Sequence, residues 1–334
     1  MSRLKVLYMP HPNKDVKTPW GDDVMAAIGH DHDVRVYDRG RLAAEQFEGI
    51  EAIVDLGGNI TLEEIAIAKA AGVGFFQAQT NGLDDVEVDA ILNTGMAMAH
   101  CPGPLSSVAL AQSAMMFILM LAHRYGKCQE ALAQSRYFWP PGMDLVGQTL
   151  GIIGLGASGV ELARRAKPFG MRLVAVDVRP IDPEVLDEIQ PDMVGSPEDL
   201  DQLVSESDFI SMHLPLIQAT RHTIDERRIG LMKPTACLVN VARGELVDEE
   251  ALYQALLEGR IGGAGLDAFA QEPLDITRPV YQLVNVLVTP HIAGATDGTS
   301  RNRAQFAADN LKRIASGQEP LGKVEKHSPV DSAR

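Results

Sequence analysis

Cysteine is scarce in this chain of 334 residues, with only Cys101, Cys128 and Cys237. They are widely separated and odd in number, which leaves no disulfide framework and no metal-ligand spacing. Reduced thiols in a cytosolic compartment, and no metal, are therefore expected. Basic side chains are also in deficit: 30 Lys and Arg stand against 45 Asp and Glu, a formal charge of −15. Nothing forms the basic stripe that a nucleic-acid partner requires. Long apolar runs are missing too. The most apolar segment, Val108 to Ala122, is too short for a bilayer span and is broken by Gln112 and Ser113, so it reads as a buried helix and no membrane partner is expected. The N-terminus, MSRLKVLYMP, is strand-like and has no secretory apolar region.

What is present points to one stretch, Thr149 to Asp177, reading TLGIIGLGASGVELARRAKPFGMRLVAVD. An apolar strand (Leu150 to Ile153) runs into the triplet Gly154, Gly156 and Gly159, at the spacing G-x-G-x-x-G. Val160, Leu162, Ala163 and Ala166 then recur at helical period, and a second strand (Leu173 to Val176) ends in Asp177. The first glycine permits the tight turn, the second lets backbone approach a pyrophosphate, and the third lets helix and strand pack closely. The helix N-terminus then aims unpaired N–H groups at phosphates. An acid at the end of the second strand suits the adenosine ribose hydroxyls. The stretch predicts a dinucleotide site.

The length exceeds what one core usually fills, so two domains are expected. Residues 1 to about 102 alternate strands (Lys5–Tyr8, Val34–Tyr37, Ala52–Leu56, Gly74–Gln77, Met96–His100) with helices such as Leu62 to Ala71, whose Leu62, Ile65, Ala66 and Ala70 share a face. That alternation predicts a parallel, doubly wound α/β sheet without a glycine triplet. Two polar loops follow apolar strands, Leu56-Gly57-Gly58-Asn59 and Thr80-Asn81-Gly82-Leu83. On the residues alone both read as turns, at the edge where open parallel sheets bind ligands. Pro102-Gly103-Pro104 breaks the pattern before a long helix, Ser106 to about Ala122. Residues 123–148, with Tyr137, Phe138 and Trp139 beside a proline pair, fit no sheet and suggest an arm for a second subunit.

Beyond Asp177, strands are expected at Asp208–Leu214, Ala236–Val241, Gly263–Leu266 and Val286–Val288, with helices at Ile224–Met232 and Asp248–Leu257. A last helix, carrying Ala304, Ala307, Leu311 and Ile314, returns to the first domain, and the tail from Gln318 is expected to be loosely ordered.

Three side chains sit where a nicotinamide would meet its substrate. Arg243 follows a strand in Val241-Ala242-Arg243-Gly244, and a guanidinium there can hold a carboxylate or ketone oxygen bidentately. His291, in Thr289-Pro290-His291, ends the last strand and can both give and take a proton near neutrality. Glu272 follows another strand end and can orient the imidazole. Singly, each also fits a structural role: a helix-flanking charge, a capping histidine, an acid before a proline.

Together, LGIIGLGASG, HLPL with Thr220 downstream, NVARGELVDEEAL, GLDAFAQEP and TPHIAGAT make the chain resemble the D-isomer-specific 2-hydroxyacid dehydrogenase family over roughly residues 50–320. The resemblance implies a Rossmann NAD-binding domain (104–294) inserted in a flavodoxin-like substrate domain (1–103 and 295–334). It implies a homodimer formed through the inserted domain and a small 2-oxo or 2-hydroxy acid as substrate. By it, Arg243 binds the substrate carboxylate and 2-oxo group, His291 is the acid–base and Glu272 its partner. The backbone of Asn81, Gly82 and Leu83 grips the substrate carboxylate. Ala157 and Ser158 meet the pyrophosphate, Asp267 lies near the nicotinamide amide, and His213, Pro215 and Thr220 line the nucleotide path. Val241, Ala242 and Gly294 fall in the same cofactor-binding motifs. Gln112 and Ser113 stand where the family usually has Glu and frequently His.

Asp177 favours NAD, because a carboxylate repels a 2′-phosphate, while Arg179 keeps NADP use open. Asp55–Thr61 and Gln77–Asp84 contain no Lys or Arg, and no C-terminal regulatory domain is expected. An unphosphorylated 2-oxo acid such as glyoxylate or hydroxypyruvate is therefore expected, rather than 3-phosphoglycerate. The rival from another class, an NAD-sensing regulator, has no need of a proton donor beside the nicotinamide.

Overall fold

The computed structural model describes residues 2–11, 20–57, 59–84 and 86–326. It divides into two compact units, one built from residues 1–105 and 295–334 and the other from 106–294.

The first unit runs β1 (Lys5–Met9), α1 (Trp20–Ile28), β2 (Asp33–Val36), α2 (Ala43–Phe47), β3 (Ala52–Asp55), α3 (Leu62–Ala71), β4 (Phe75–Ala78), α4 (Val88–Asn93) and β5 (Ala97–His100). All five strands are parallel, in the order β2-β1-β3-β4-β5. This is the flavodoxin-like winding, with its switch point between β1 and β3. β3 and β4 are buried on both faces, as strands of a parallel sheet covered by helices are. Leu7, Ile53, Phe76 and Met98 form one core, while Val6, Val54, Phe75 and Ala99 form the other.

The second unit begins with α5 (Ser107–Ala122) and α6 (Tyr125–Ala133). It continues through β6 (Thr149–Ile153), α7 (Ala157–Ala166), β7 (Arg172–Val176), α8 (Pro183–Ile189), β8 (Met193–Gly195), α9 (Leu200–Glu206) and β9 (Phe209–Met212). The remainder is α10 (Glu226–Ile229), β10 (Cys237–Asn240), α11 (Glu249–Leu257), β11 (Gly263–Leu266) and β12 (Val286–Val288). Its seven parallel strands lie in the order β12-β11-β10-β9-β6-β7-β8, a Rossmann winding extended by one strand, with the switch point between β6 and β9. The chain then re-enters the first unit as α12 (Asp297–Ala315), which packs Ala304, Ala307, Ala308 and Leu311 into the core shared with α1.

Two parallel-sheet α/β units were expected, and both form. Several local expectations fail. In α3 the inward residues are Glu64, Ile65 and Ala68, whereas Leu62 is exposed. Glu64 is drawn in because it closes a capping box with Thr61 and accepts a 2.5 Å hydrogen bond from Tyr37 Oη. The helix expected over 224–232 shrinks to α10, because Ile224 is taken into a parallel bridge with Val247. Segment 123–148 joins no sheet, in line with expectation; it carries α6, and beyond α6 Tyr137, Phe138 and Trp139 are exposed. The tail is tied down as far as described: Leu321 N donates to Asn310 Oδ1 and Lys323 bridges to Ala99. Gly58 and residues 327–334 lie outside the described residues. Among the described residues no single helix is long and apolar enough to cross a membrane.

Candidate active site

The β6–α7 turn is built as the glycine spacing predicts. Gly154 has φ +99°, and a Cβ there would lie 2.7 Å from His213 O; one at Gly159 would lie 2.0 Å from Gly154 O. Both positions therefore need glycine, the first for its conformation and the second for the close approach. At Gly156 a Cβ would meet only Arg179 Nη2, at 3.7 Å, so the backbone stands open. Gly156 is the N-cap of α7, and no side chain caps the N–H groups of the first turn, which includes Ala157 and Ser158. An open backbone beside an uncapped helix N-terminus fits a pyrophosphate.

Ser158 does not point its hydroxyl along that opening. Its Oγ lies 2.9 Å from His213 Nδ1, and His213 Nε2 lies 2.9 Å from Ser211 Oγ. Burial pushes His213 down to about 4, so the imidazole is neutral and ties the end of β9 to the first turn of α7. Thr220 Oγ1 donates to Pro215 O at 2.7 Å and accepts from Ile217 N, closing the turn after β9.

Asp177 lies at the end of β7 with its side chain 5% exposed. One oxygen accepts from Leu155 N at 2.8 Å, and the other accepts from Arg179 N at 2.9 Å and Nε at 3.3 Å. Burial opposes its ionisation, but the Arg179 and Leu155 bonds outweigh this and hold the carboxyl below the usual range.

Arg243, Glu272 and His291 follow β10, β11 and β12, three neighbouring strands, at their C-terminal ends. His291 Nδ1 meets both Glu272 oxygens, at 3.0 and 2.8 Å. Glu272 Oε1 also accepts from Phe269 N, which fixes the carboxylate on its own turn. His291 has φ +54°, an uncommon conformation for a non-glycine residue. Its segment is held by Asp267, which is 1% exposed. Asp267 Oδ1 accepts from Thr289 Oγ1 (2.5 Å) and Ile292 N (2.8 Å), and Oδ2 accepts from Ala293 N (2.8 Å). Asp267, expected near the nicotinamide amide, has both its oxygens engaged by residues 289–293. A cavity of about 490 Å³ opens beside the pair, lined by Phe269, Leu274, Ile276, Pro290, Glu272 and His291.

Three residues missed by sequence reasoning shape this edge. Asn240 Oδ1 accepts from Ala242 N and its Nδ2 donates to Arg243 O, folding the Val241-Ala242-Arg243 turn back on β10. A Cβ at Gly244 would lie 1.9 Å from Phe269 C, so glycine lets the Arg243 turn pass against the Glu272 turn. Glu249, the first residue of α11, accepts from Ala270 N at 2.6 Å and braces that turn from behind. The Asn240 and Gly244 signals were present in N-V-A-R-G; the Glu249 contact has no local signature. Gly294 closes the second unit, where a Cβ would meet only Ser106 Cβ, at 3.9 Å.

Asn81, Gly82 and Leu83 belong to the first unit, where Asn81 O lies 3.0 Å from His100 Nδ1. This loop and its neighbour at 56–59 contain no Lys or Arg, but the fold supplies both with one. Arg39 Nη2 donates to Asn59 O at 3.2 Å, and Arg303 Nη1 donates to Gln79 O at 3.1 Å.

Residues 115–293 match the family described as D-isomer specific 2-hydroxyacid dehydrogenase, NAD binding domain. A glyoxylate reductase from Thermococcus litoralis is 35% identical over 291 residues, covering 84% of this chain and 86% of the relative. A hydroxypyruvate reductase from Thermotoga maritima is 39% identical over 224 residues, covering 66% and 70%. Among solved structures, a D-lactate dehydrogenase from Aquifex aeolicus complexed with NAD and lactic acid superimposes with a TM-score of 0.79 at 26% identity, covering 96% of this chain and 100% of that one. With its Rossmann winding, open glycine turn and strand-end acid, the chain belongs to the D-isomer-specific 2-hydroxyacid dehydrogenases, NAD-binding oxidoreductases that act on CH–OH donors.

Proposed function

We propose that the chain reduces an unphosphorylated 2-oxo acid, such as glyoxylate, hydroxypyruvate or a larger relative, to the 2-hydroxy acid (the D isomer where the product is chiral), and catalyses the reverse. NAD(H), when bound, supplies or accepts the hydride. Arg243 binds the substrate carboxylate and 2-oxo oxygen through its guanidinium fork. His291 gives a proton to that oxygen in reduction and removes it in oxidation. Glu272 holds Nδ1, which leaves Nε2 as the working nitrogen. The observation that carries this reading is the two-point His291–Glu272 contact at the end of β12, two strands from the Arg243 turn.

On the cofactor side, the backbone of Gly154, Gly156, Ala157, Ser158 and Gly159 receives the pyrophosphate, and Asp177 the adenosine ribose. NAD is preferred over NADP because Asp177 repels a 2′-phosphate, a preference that the paired Arg179 softens. His213, Pro215 and Thr220 shape the nucleotide path, with Val241, Ala242, Asp267 and Gly294 framing the nicotinamide end. In the first unit, the Asn81-Gly82-Leu83 backbone holds the substrate carboxylate. The enzyme is a cytoplasmic homodimer through its NAD-binding unit, a reading supported by the exposed Leu132, Tyr137, Phe138, Trp139 and Val146 after α5 and by Met116 and Phe169.

The test is NADH oxidation with glyoxylate, hydroxypyruvate, phenylpyruvate and 3-phosphohydroxypyruvate, repeated with NADPH. His291→Ala should lower turnover roughly 10²–10⁴-fold. Near-normal turnover in that variant would remove His291 from the chemistry.

A further inference from the structure

Among the described residues, six buried side-chain polar atoms find no hydrogen-bond partner. Five belong to one region: Tyr8 Oη, Asp55 Oδ1, Gln79 Nε2, Thr80 Oγ1 and Arg303 Nε. Tyr8, Asp55, Gln79 and Thr80 stand at the C-terminal ends of β1, β3 and β4, and Arg303 reaches them from α12. Such a concentration calls for an explanation, because buried polar groups are otherwise paired.

The two arginines at this edge differ in their counter-charges. Arg39 lies 3.9 Å from Glu64. Arg303 makes no ion pair with any described carboxylate. Its guanidinium lies 5.4 Å from the centroid of the Trp20 ring, and Nη1 is satisfied by the Gln79 carbonyl. Burial pushes its pKa down, with only the Cys101 thiol acting the other way. A cation withdrawn from water without an anion is costly. Beside it, Gln79 is 1% exposed and its amide nitrogen has no acceptor. Gln79 Nε2 and Arg303 Nε can only donate, Thr80 Oγ1 and Tyr8 Oη can do either, and Asp55 Oδ1 accepts when ionised, so donors outnumber acceptors at the Arg303 end of an edge where open parallel sheets take ligands. A carboxylate supplies the missing acceptors, with two oxygens and about four lone-pair sites. It also matches a guanidinium fork in shape and in charge.

We propose that Arg303, with Gln79 and Thr80, forms a subsite for a second carboxylate, and that the enzyme's substrate class is the short 2-oxo dicarboxylic acids. This rests on the reading above in which the Asn81-Gly82-Leu83 backbone holds the first carboxylate. Gln79 and Asn81 are two residues apart, at most about 7 Å along an extended chain, a span that a short diacid bridges. One guanidinium balances the single charge of a carboxylate and leaves a phosphate dianion undercompensated.

The experiment compares wild type, Arg303→Met and Arg303→Lys, full length with NADH, on oxaloacetate, 2-oxoglutarate, glyoxylate and 3-phosphohydroxypyruvate. Wild type should prefer a diacid to glyoxylate. Arg303→Met should lose about 10–100-fold in kcat/KM on the diacid, the range of lost charge-assisted hydrogen bonds, mostly through KM. Glyoxylate kinetics should stay within about twofold, and Arg303→Lys should recover part of the loss. Equal losses on diacid and glyoxylate, no loss at all, or a loss confined to 3-phosphohydroxypyruvate would overturn the subsite. Should Arg303→Met fail to fold, wild type decides alone: a glyoxylate preference of about tenfold or more over both diacids refutes it. Turnover of glyoxylate without selective loss sinks only the subsite. Absence of turnover on every 2-oxo acid sinks the parent reading and the subsite together.

Discussion

Asp267 holds the backbone that carries His291, so replacing it with Asn tests whether that backbone matters to the chemistry. The amide keeps one oxygen and one nitrogen in the space of the carboxylate. With its oxygen at Oδ1, it still accepts from Thr289 Oγ1 and Ile292 N, but its NH2 then faces the Ala293 N–H, which now lies 2.8 Å from Oδ2. One hydrogen bond to a charged group is lost, worth about 1.5–3 kcal/mol, and two donors are left opposed in a site 1% exposed. Flipping the amide keeps the Ala293 bond and lets Nδ2 donate to Thr289 Oγ1, but it opposes the NH2 to the Ile292 N–H, so one bond is lost either way. Against this, burial raises the Asp267 carboxyl above its usual range, so the wild-type side chain bears a desolvation cost that the amide avoids. The net expectation is a loss of about 1–3 kcal/mol in urea unfolding. A kcat reduced at least about tenfold should accompany it, because a small misplacement of an acid–base group is expensive. Equilibrium unfolding and steady-state kinetics on the same preparation decide the matter. Wild-type kcat in a destabilised variant would mean that Asp267 serves only the fold. Unchanged stability and unchanged kcat would refute the reasoning entirely.

Asp55 offers a pH test. Its carboxyl is buried and pushed up to about 7, chiefly by desolvation. Because the folded value lies above the unfolded one, this group's contribution is fully present below about pH 4 and is lost as pH rises towards 7. Asp55→Asn should therefore gain on wild type by roughly 3 kcal/mol between pH 5 and pH 8 in urea unfolding; a constant difference across that range would count against the assignment. For the proposed dimer, sedimentation should give twice the chain mass. Leu132→Glu with Phe138→Glu should shift it towards monomer, and a wild-type monomer at micromolar concentration would argue against association.

The architecture was legible because strands buried on both faces read as short apolar runs, and polar residues recur at their ends. Gly154, Asp177, Arg243, Glu272 and His291 could be placed on strand ends without coordinates. What escaped depends on contacts between distant segments. The Lys- and Arg-free loops suggested an edge without cations, yet Arg303 is delivered to Gln79 from more than 200 positions away. Periodicity misassigned the inward face of α3, because a cap and a tyrosine hydroxyl drew Glu64 inside where apolar spacing pointed elsewhere. The helix expected from Ile224 gave way to a bridge with Val247, a long-range pairing that no local pattern announces.

That α12 completes the core begun by α1 has a consequence for biosynthesis. At about 5–20 residues per second, residues 106–294 occupy the ribosome for on the order of 10–40 s. Throughout that interval Val6, Tyr8, Val24 and Ile28 wait without the alanine-rich surface of Ala304, Ala307 and Ala308 that finally covers them. The inserted unit can finish folding while the unit that began first is still short of a helix. Apolar surface left open in this way favours aggregation and chaperone binding, so both are expected of the nascent N-terminal segment.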